Sequence, residues 1–162
     1  MSKIAVYTGS FDPITLGHLN VIDRSRQMFD TLVVGIGINV DKKSLFTPEE
    51  RKDLVRRVTS QWENVVVEAF DGLAVDFVSQ QESRIMVRGV RPLTDIAGEF
   101  TMMMANRQLA PAIETVFLMA DEEFAHVSSS LIKQIAQFSD DDMLARFVPQ
   151  AIIPDLRARM ST

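Results

Sequence analysis

Five short apolar runs alternate with longer segments of helical spacing, and this alternation narrows the possible folds more than any other feature. The runs are continuously apolar, as is typical of parallel strands whose sheet is covered on both faces. The predicted strands are Ile4 to Tyr7, Leu32 to Ile36, Val65 to Phe70, Ile85 to Val87 and Val116 to Met119. Strand–helix alternation predicts an α/β protein with a right-handed, doubly wound, five-stranded parallel sheet.

The segments between the strands carry recognisable helix starts. Thr47, Pro48 and Glu50 combine a capping box with a proline in the first turn, which predicts that a helix starts at Thr47. The other predicted helices follow Gly17-His18, run near Leu73 to Gln80 and from Thr94 or Asp95 to Leu109, start around Ser128, and follow Pro149. The chain has 162 residues and no long linker, repeat or low-complexity tract, so residues 1–162 are predicted to form a single domain.

Composition excludes several classes of protein. The formal net charge is -5, which argues against general nucleic-acid binding. The chain has no cysteine, which excludes disulfides, thiolate metal sites and cysteine nucleophiles. It has no apolar stretch near the roughly 18 residues that suggest a membrane span, and its start runs directly into a strand rather than a signal segment. We therefore expect a cytoplasmic enzyme or binding protein, without nucleic acid or membrane as a partner.

Each predicted strand is followed by polar or glycine residues. These segments are Gly9-Ser10-Phe11-Asp12, Asn39 to Lys43, Asp71-Gly72-Leu73, Arg88-Gly89-Val90-Arg91 and Asp121 to Ser130. In an open parallel sheet, ligands bind beyond the carboxyl ends of the strands, near a switch in strand order. The five segments together therefore predict one shared binding site.

The first segment and the helix after it suggest a phosphate site. Gly9 permits close approach of a phosphate to the backbone, although a tight turn is an alternative explanation, and Ser10 can bond either a phosphate oxygen or the turn. His18 lies at a helix start, where backbone amides attract anions and an imidazole adds a directional donor. Lys42 follows the second strand, where it is either a phosphate partner or an ordinary solvated lysine.

Two arginines and a serine cluster extend this interpretation. The arginine fork suits two phosphate oxygens, so Arg88 is interpreted as a ligand-binding residue. Arg91 has a competing structural explanation, an ion pair with Asp95 or Glu99. The hydroxyls of Ser128-Ser129-Ser130 can cap a helix and also bind phosphate.

Other phosphate-binding patterns fit poorly. GxxxxGK[ST] is absent, which argues against a P-loop ATPase. Gly35-Ile36-Gly37 begins like a dinucleotide-binding fingerprint, but Val40 occupies the third glycine position. This sequence also overlaps the predicted second strand, where close packing explains the glycines better.

Thr15-Leu16-Gly17-His18 resembles the TxGH form of the HxGH motif of nucleotidyltransferases. The further motifs are Gly9 through Ile14, Lys42-Lys43, Arg88 through Arg91, Glu99, Asn106-Arg107 and Val127 through Ser130. TxGH alone marks only the superfamily. The combination, which extends over nearly the whole chain, resembles bacterial phosphopantetheine adenylyltransferases and implies their Rossmann-like nucleotidyltransferase fold.

The resemblance implies a reaction and its partners. AMP would pass from ATP to 4'-phosphopantetheine, giving dephospho-CoA and pyrophosphate, by direct attack on the α-phosphorus and without a catalytic base. Mg²⁺ would accompany ATP mainly through phosphate oxygens, so no metal ligand is assigned to the protein. The resemblance also implies a homohexamer and feedback inhibition by coenzyme A.

The same resemblance implies roles for individual residues, with His18 as the stabiliser of the transition state. The implied catalytic residues are His18, Lys42 and Arg91. The implied substrate-binding residues are Ser10, Lys42, Leu73, Ala74 and Arg88. The implied ATP-binding residues are Ser10, Phe11, His18, Gly89, Val90, Arg91, Glu99, Phe124, Ala125, His126, Val127, Ser128, Ser129 and Ser130.

Three positions depart from the family pattern. Ser10 stands where threonine is common, Phe124 where tryptophan is frequent, and Gly98 where tyrosine is frequent. Gly98 weakens a helix by roughly 1 kcal/mol relative to alanine. The alternative functions are adenylyl transfer to nicotinamide mononucleotide, cytidylyl transfer to an alcohol phosphate, and non-catalytic sensing of a nucleotide or coenzyme A.

Overall fold

Five parallel strands form one sheet in this structure, a computed structural model that describes residues 1–91 and 95–161. They are β1 (Ile4–Gly9), β2 (Thr31–Ile38), β3 (Val65–Asp71), β4 (Ile85–Val90) and β5 (Glu114–Met119). Their order across the sheet is β3-β2-β1-β4-β5. The order reverses between β1 and β4, which is the switch point where ligands bind in such sheets. The predicted doubly wound, five-stranded parallel sheet is confirmed.

Helices connect the strands and cover both faces of the sheet. They are α1 (Leu16–Met28), α2 (Pro48–Thr59), α3 (Ala74–Gln80), α4 (Ile96–Leu109), α5 (Ser129–Ile135), α6 (Asp141–Leu144) and α7 (Ile153–Met160), with 3₁₀ turns at Glu122–Phe124 and Gln150–Ile152. The alternative start of α4 at Thr94 lies outside the described residues. None of the helices in the described ranges is long and apolar enough to cross a membrane.

The strands extend beyond the apolar runs that predicted them. β4 was expected to end at Val87 but continues to Val90, because Arg88 and Val90 remain paired with β5. β1 likewise continues to Gly9, which pairs with Ile36 of β2. Polar and glycine residues at strand ends can keep the backbone pairing of a parallel sheet, so apolarity alone marks the ends too early.

Two apolar layers hold the sheet between the helices. On one face, Leu32 and Val34 pack in a cluster with Ile22, Leu54 and Leu156, all buried. On the other face, Val6, Val33 and Met86 pack with Val75 and Phe77 of α3. The central strands are therefore apolar on both faces, in agreement with the continuous apolar runs.

The glycine pair in β2 has a packing role. A Cβ atom on Gly35 would lie 2.5 Å from Cε1 of Phe77, a distance that real Cβ atoms do not tolerate. Gly35 therefore lets the ring of Phe77, which stacks on Phe70, approach the strand closely. This contact supports close packing, rather than dinucleotide binding, as the reason for the Gly-Ile-Gly sequence.

The capping box predicted for α2 is present. Thr47 Oγ1 accepts the Glu50 N–H at 3.2 Å, and the Glu50 carboxylate accepts the Thr47 N–H at 2.7 Å. The hydrogen bond from the Thr47 N–H is the largest of the effects that lower the pKa of the Glu50 carboxyl. Because the box fixes the start of α2, it also fixes the end of the segment that follows β2.

Candidate active site

A cavity of about 310 Å³ opens at the carboxyl edge of the sheet, at the switch point between β1 and β4. Residues from four parts of the chain meet there: the end of β1 with the start of α1, the segment after β2, the end of β4 with the start of α4, and the segment after β5. The predicted residues that line it are Ser10, Phe11, His18, Lys42, Arg88, Gly89, Val90, Arg91, Glu99, Phe124, Val127, Ser128, Ser129 and Ser130.

His18 is held at the start of α1 by Thr15. The Thr15 side chain accepts the backbone N–H of His18 at 3.2 Å, while the backbone N–H of Thr15 donates to His18 Nδ1 at 3.1 Å. Nδ1 is therefore an acceptor, and the neutral ring carries its proton on Nε2. The ring also contacts the edge of Phe11, with centroids 4.9 Å apart. These contacts leave Nε2–H as the ring's remaining hydrogen-bond donor.

The surroundings of His18 keep it uncharged. Burial, followed by the positive charges of Arg88 and Arg91, lowers its pKa from 6.5 to about 4. At neutral pH the imidazole is therefore uncharged, and it can donate a hydrogen bond without giving up its proton. This state suits hydrogen bonding to a phosphate oxygen rather than proton abstraction.

Arg88 projects from β4 and is held on two sides. Its Nε and Nη2 donate to the two carboxylate oxygens of Glu99 at 2.8 and 2.6 Å. Its Nη1 donates to the backbone carbonyl of Thr8 at 2.5 Å and to Thr8 Oγ1 at 3.2 Å. Together, the bonds to Glu99 and Thr8 fix the plane of the guanidinium group at the cavity wall. The remaining N–H bond of Arg88 therefore has a defined direction.

Arg91 and Lys42 contribute charge in different ways. Arg91 pairs with Asp95 through Nε and Nη2, each at 2.8 Å, so one of the two ion pairs anticipated for Arg91 is present. The other candidate partner, Glu99, binds Arg88 instead. Lys42 lies on the exposed segment after β2 and lines the cavity.

The serine segment has structural bonds of its own. Ser128 caps α5 through its side chain, which accepts the Leu131 N–H at 3.1 Å. Ser129 Oγ donates to the carbonyl of Pro13 at 2.9 Å, which joins α5 to the loop after β1. Capping and cavity lining therefore coexist in this segment, as the sequence suggested.

Comparison with known proteins identifies the family. Residues 6–135 match the family model described as cytidylyltransferase-like. A phosphopantetheine adenylyltransferase of Rhodopirellula baltica is 70% identical over 160 residues, which cover 98% of this chain and 89% of that protein. The chain belongs to the phosphopantetheine adenylyltransferase family. The enzyme of that name from Clostridium perfringens is 41% identical, with 99% of this chain and 96% of that protein covered.

Solved structures with lower sequence identity share the fold of this member of the phosphopantetheine adenylyltransferase family. A bifunctional NMN adenylyltransferase/ADP ribose pyrophosphatase from Francisella tularensis superposes with a TM-score of 0.67 at 14% identity, covering 100% of this chain and 51% of that one. Nicotinic acid mononucleotide adenylyltransferase from Plasmodium falciparum has a TM-score of 0.62, also at 14% identity, over 95% and 94% of the two chains. At these identities the likeness shows the fold alone.

Four residues assigned from the family resemblance lie outside the main cavity. Ala74 lines a smaller cavity of about 90 Å³, which also reaches Arg88 and Glu99. Leu73 is half exposed at the start of α3. Ala125 and His126 are not among the residues that line the main cavity, and the His126 ring packs edge-on against Phe147.

Several wall residues were not assigned as ligands from sequence. Tyr7 and Thr8 of β1, Val21 of α1 and Ala120 after β5 all line the cavity. Tyr7 stands edge-on to Phe11, with ring centroids 5.2 Å apart. Val21 lies three residues after His18, so helical spacing offered a signal for it, whereas Tyr7 belongs to an apolar run that indicates core.

Gly89 belongs to the same wall. A Cβ atom there would lie 2.9 Å from the Tyr7 hydroxyl and 3.3 Å from Val21 Cγ2. Glycine at this position therefore makes room for Tyr7 and Val21 in the cavity wall.

The described residues contain no group of three or more His, Asp or Glu side chains placed to hold a metal ion. The two carboxylates of the cavity, Asp95 and Glu99, are engaged by Arg91 and Arg88. Chemically, the cavity offers donors and positive charge, which suit polyanionic ligands.

Proposed function

We propose that this family member transfers AMP from ATP to 4'-phosphopantetheine, with dephospho-CoA and pyrophosphate as products. The observation that carries the proposal is the placement of His18, whose Nδ1 accepts the Thr15 N–H and whose pKa is lowered by burial, in a cavity that also contains Ser10, Lys42 and Arg88. The relatives that are 70% and 41% identical bear the corresponding enzyme name.

The proposed reaction is one direct displacement. A phosphate oxygen of 4'-phosphopantetheine attacks the α-phosphorus of ATP, and the bond from that phosphorus to the bridging oxygen breaks as pyrophosphate leaves. Negative charge rises on the oxygens around the α-phosphorus in the transition state. The protein accelerates this step by alignment and by donors placed where the charge develops.

Five residues are proposed to act on the reacting phosphates. His18 Nε2–H donates to the α-phosphate and stabilises the transition state without transferring its proton. Lys42 and Ser10 contact the phosphates of either substrate, with Arg91 as a further source of positive charge. Arg88, oriented by Glu99, receives the phosphate of 4'-phosphopantetheine.

The remaining assignments concern the two organic parts of the substrates. We propose that the nucleotide lies along Gly89, Val90 and the segment from Phe124 to Ser130, with Phe11 and Glu99 at its border. Leu73 and Ala74 are proposed to flank the pantetheine arm. The small cavity that Ala74 shares with Arg88 supports this placement, because it adjoins the proposed phosphate ligand.

Mg²⁺ is proposed to enter with ATP. The pairing of Asp95 and Glu99 with arginines makes phosphate oxygens and water the natural ligands of the ion. When bound, Mg²⁺ would neutralise charge on the departing pyrophosphate.

The proposal extends to assembly and regulation. We propose one catalytic domain over residues 1–162, a cytoplasmic location, a homohexamer, and coenzyme A as feedback inhibitor. The surface of α4 supports subunit contact, because α4 has no buried residue in the described part of the chain. Its exposed apolar side chains are Ile96, Phe100, Met102, Met104 and Leu109.

The decisive assay supplies ATP, Mg²⁺ and 4'-phosphopantetheine and identifies the products. We expect dephospho-CoA and pyrophosphate in equal amounts, and no pyrophosphate when the acceptor is omitted. Nicotinamide mononucleotide with ATP, and an alcohol phosphate with CTP, serve as competing substrates. Turnover of either one in preference to 4'-phosphopantetheine would contradict the proposal, as would tight ATP binding without pyrophosphate release.

His18→Ala tests the mechanism within this assay. Because the substitution removes the donor to the α-phosphate, we expect kcat to fall by about 100-fold or more while the fold is kept. Circular dichroism of the variant provides the control for folding. Near-normal turnover would show that His18 does not stabilise the transition state.

A further inference from the structure

Asp12 ties together three segments that meet at the cavity. It lies in the loop after β1, and the residue is only 5% exposed. Its carboxylate accepts the backbone N–H groups of Leu45 and Phe46, both at 2.8 Å. It also accepts Lys133 Nζ of α5 at 2.9 Å. Three donors on a buried carboxylate leave this group little freedom to rotate.

Each of the tied segments carries a proposed phosphate ligand. Ser10 precedes Asp12 by two residues in the loop after β1, and Lys42 precedes Leu45 by three residues in the segment after β2. Ser129 lies four residues before Lys133, one turn earlier on α5. Asp12 therefore sets the distances between Ser10, Lys42 and Ser129, which lie on three segments that are far apart in the sequence.

A buried arginine reinforces the same junction. Arg51 is 3% exposed, and its Nη1 donates to the carbonyls of Ser10 at 2.8 Å and Gly37 at 3.0 Å. These bonds link the loop after β1 to the end of β2. Asp12, Arg51 and Lys133 line one small cavity of about 70 Å³, and Ser10 and Lys42 line both this cavity and the main one.

The charges at this junction explain why the carboxylate matters. Lys42, Arg51 and Lys133 are cations that would repel one another around the small cavity, and Asp12 is the acidic residue among those that line it. Removal of the Asp12 charge would leave these cations without compensation, which favours movement of the segments apart. Removal of the Lys133 ammonium group would instead break the bond that joins α5 to the loop after β1.

We propose that Asp12 and Lys133 are positioning residues of adenylyl transfer, which act through Lys42 and the serines of α5. The proposal rests on the proposed function. Neither side chain has to touch the substrate. Because displacement of a reacting group by about 1 Å can cost a factor of 100 in rate, a modest shift of Lys42 is sufficient to slow the reaction.

The test uses Lys133→Met, which keeps an apolar stem of similar length and removes the ammonium group. We expect kcat/KM for 4'-phosphopantetheine to fall about 10-fold. Lys133→Arg, which can still donate to Asp12, is expected to stay within about 3-fold of the wild type. Asp12→Asn provides a second route to the same loss, because it removes the carboxylate charge that Lys133 pairs with.

Lys52→Met is the matched control. Lys52 pairs with Glu68 at 3.0 Å and its side chain is 17% exposed, but the pair joins α2 to β3 outside the active-site cavity. We expect unchanged kinetics in this variant. If Lys133→Met merely lowers the active fraction, with KM and kcat per folded molecule unchanged, Lys133 is structural only and the proposal is overturned.

A double-mutant cycle with Lys42→Met separates action through Lys42 from an independent effect. If Lys133 acts through Lys42, its substitution costs much less in the Lys42→Met background than in the wild type. Additive losses would overturn the proposal.

A direct measurement of ATP binding distinguishes failure of the proposed function from failure of the positioning proposal. A wild-type enzyme inert with ATP and 4'-phosphopantetheine would overturn the function alone. In that case calorimetric titration with ATP still tests the positioning: we expect the Kd to rise about 10-fold in Lys133→Met and not in Lys52→Met. Equal Kd values in both variants and the wild type would overturn it.

Discussion

At the scale of single residues, the environment of His18 decides what its imidazole can do. Thr15 determines which nitrogen carries the proton, and burial keeps the ring neutral, so that a residue often associated with proton transfer becomes a fixed hydrogen-bond donor. Arg88 shows the complementary case, because Glu99 and Thr8 take up most of its donors and leave a charged group with one orientation. In both cases the hydrogen bonds of neighbouring residues, and not the residue type alone, set the chemistry.

The lowered pKa of His18 predicts a pH dependence of stability. The folded chain takes up this proton only near pH 4, whereas the unfolded chain takes it up near pH 6.5. Between these values the unfolded state binds more protons, so the free energy of unfolding decreases as the pH falls from 6.5 to 4. The stabilisation is complete above about pH 6.5 and its loss amounts to roughly 3 kcal/mol at most.

Urea unfolding of the wild type and of His18→Gln, at pH 7.5 and at pH 4.5, measures this effect. We expect a smaller pH-dependent loss in the variant, since glutamine does not titrate. Equal losses in both proteins would show that His18 has an ordinary pKa in the folded state.

At the scale of elements, caps and strand ends determine where the ligand-bearing segments begin. The capping box of α2 ends the segment that carries Lys42, and the cap at Thr15 places His18 in the first turn of α1. The extension of β4 to Val90 places Arg88 and Gly89 within the strand, where side-chain direction follows the alternation of the sheet. A strand therefore provides a firmer support for Arg88 than the loop that its sequence suggested.

Thr47→Ala should destabilise the protein through loss of the α2 cap. The substitution removes the acceptor of the Glu50 N–H, and we expect the free energy of unfolding to fall by about 1 kcal/mol. Ser60→Ala, at the exposed C-terminal end of the same helix, is the control and should change stability by less than about 0.5 kcal/mol. A loss that is equal in the two variants would contradict the role of the cap.

At the scale of the whole molecule, the sheet is covered by helices on both faces, yet α4 leaves an apolar surface open. Phe100 is 54% exposed and Ile96 52% exposed, in a helix without a buried residue among those described. Burial of such side chains against another subunit yields about 25 cal/mol for each Å² of apolar surface. Met102 and Met104 of the same helix are exposed as well.

Phe100→Glu should weaken the proposed hexamer. A carboxylate placed in an apolar contact loses hydration without gaining a partner, so we expect sedimentation velocity to show six subunits for the wild type and smaller species for the variant. Phe138→Glu, which alters an apolar side chain that is 86% exposed between α5 and α6, should leave the assembly intact. A monomeric wild type, or a variant that remains hexameric, would contradict the proposed role of α4.

The sequence by itself determined the succession of strands and helices along the chain, the start of α2, and the edge of the sheet at which polar segments gather. These features depend on residues close together in the chain: apolar runs, capping boxes and the Gly17-His18 pair at a helix start. The family resemblance also assigned fourteen of the residues that line the cavity.

Only the tertiary structure decided which of these groups are bound to one another. Arg88 and Glu99 are 11 residues apart, and Asp12 and Lys133 are 121 residues apart, so no local pattern could pair them. The place of Tyr7 in the cavity wall could not be predicted, because a residue of an apolar run that lines a cavity looks in the sequence like one in the core. Local chemistry fixes what each segment can form, whereas the packing of segments distant in sequence fixes which charges are neutralised and which donors remain for a ligand.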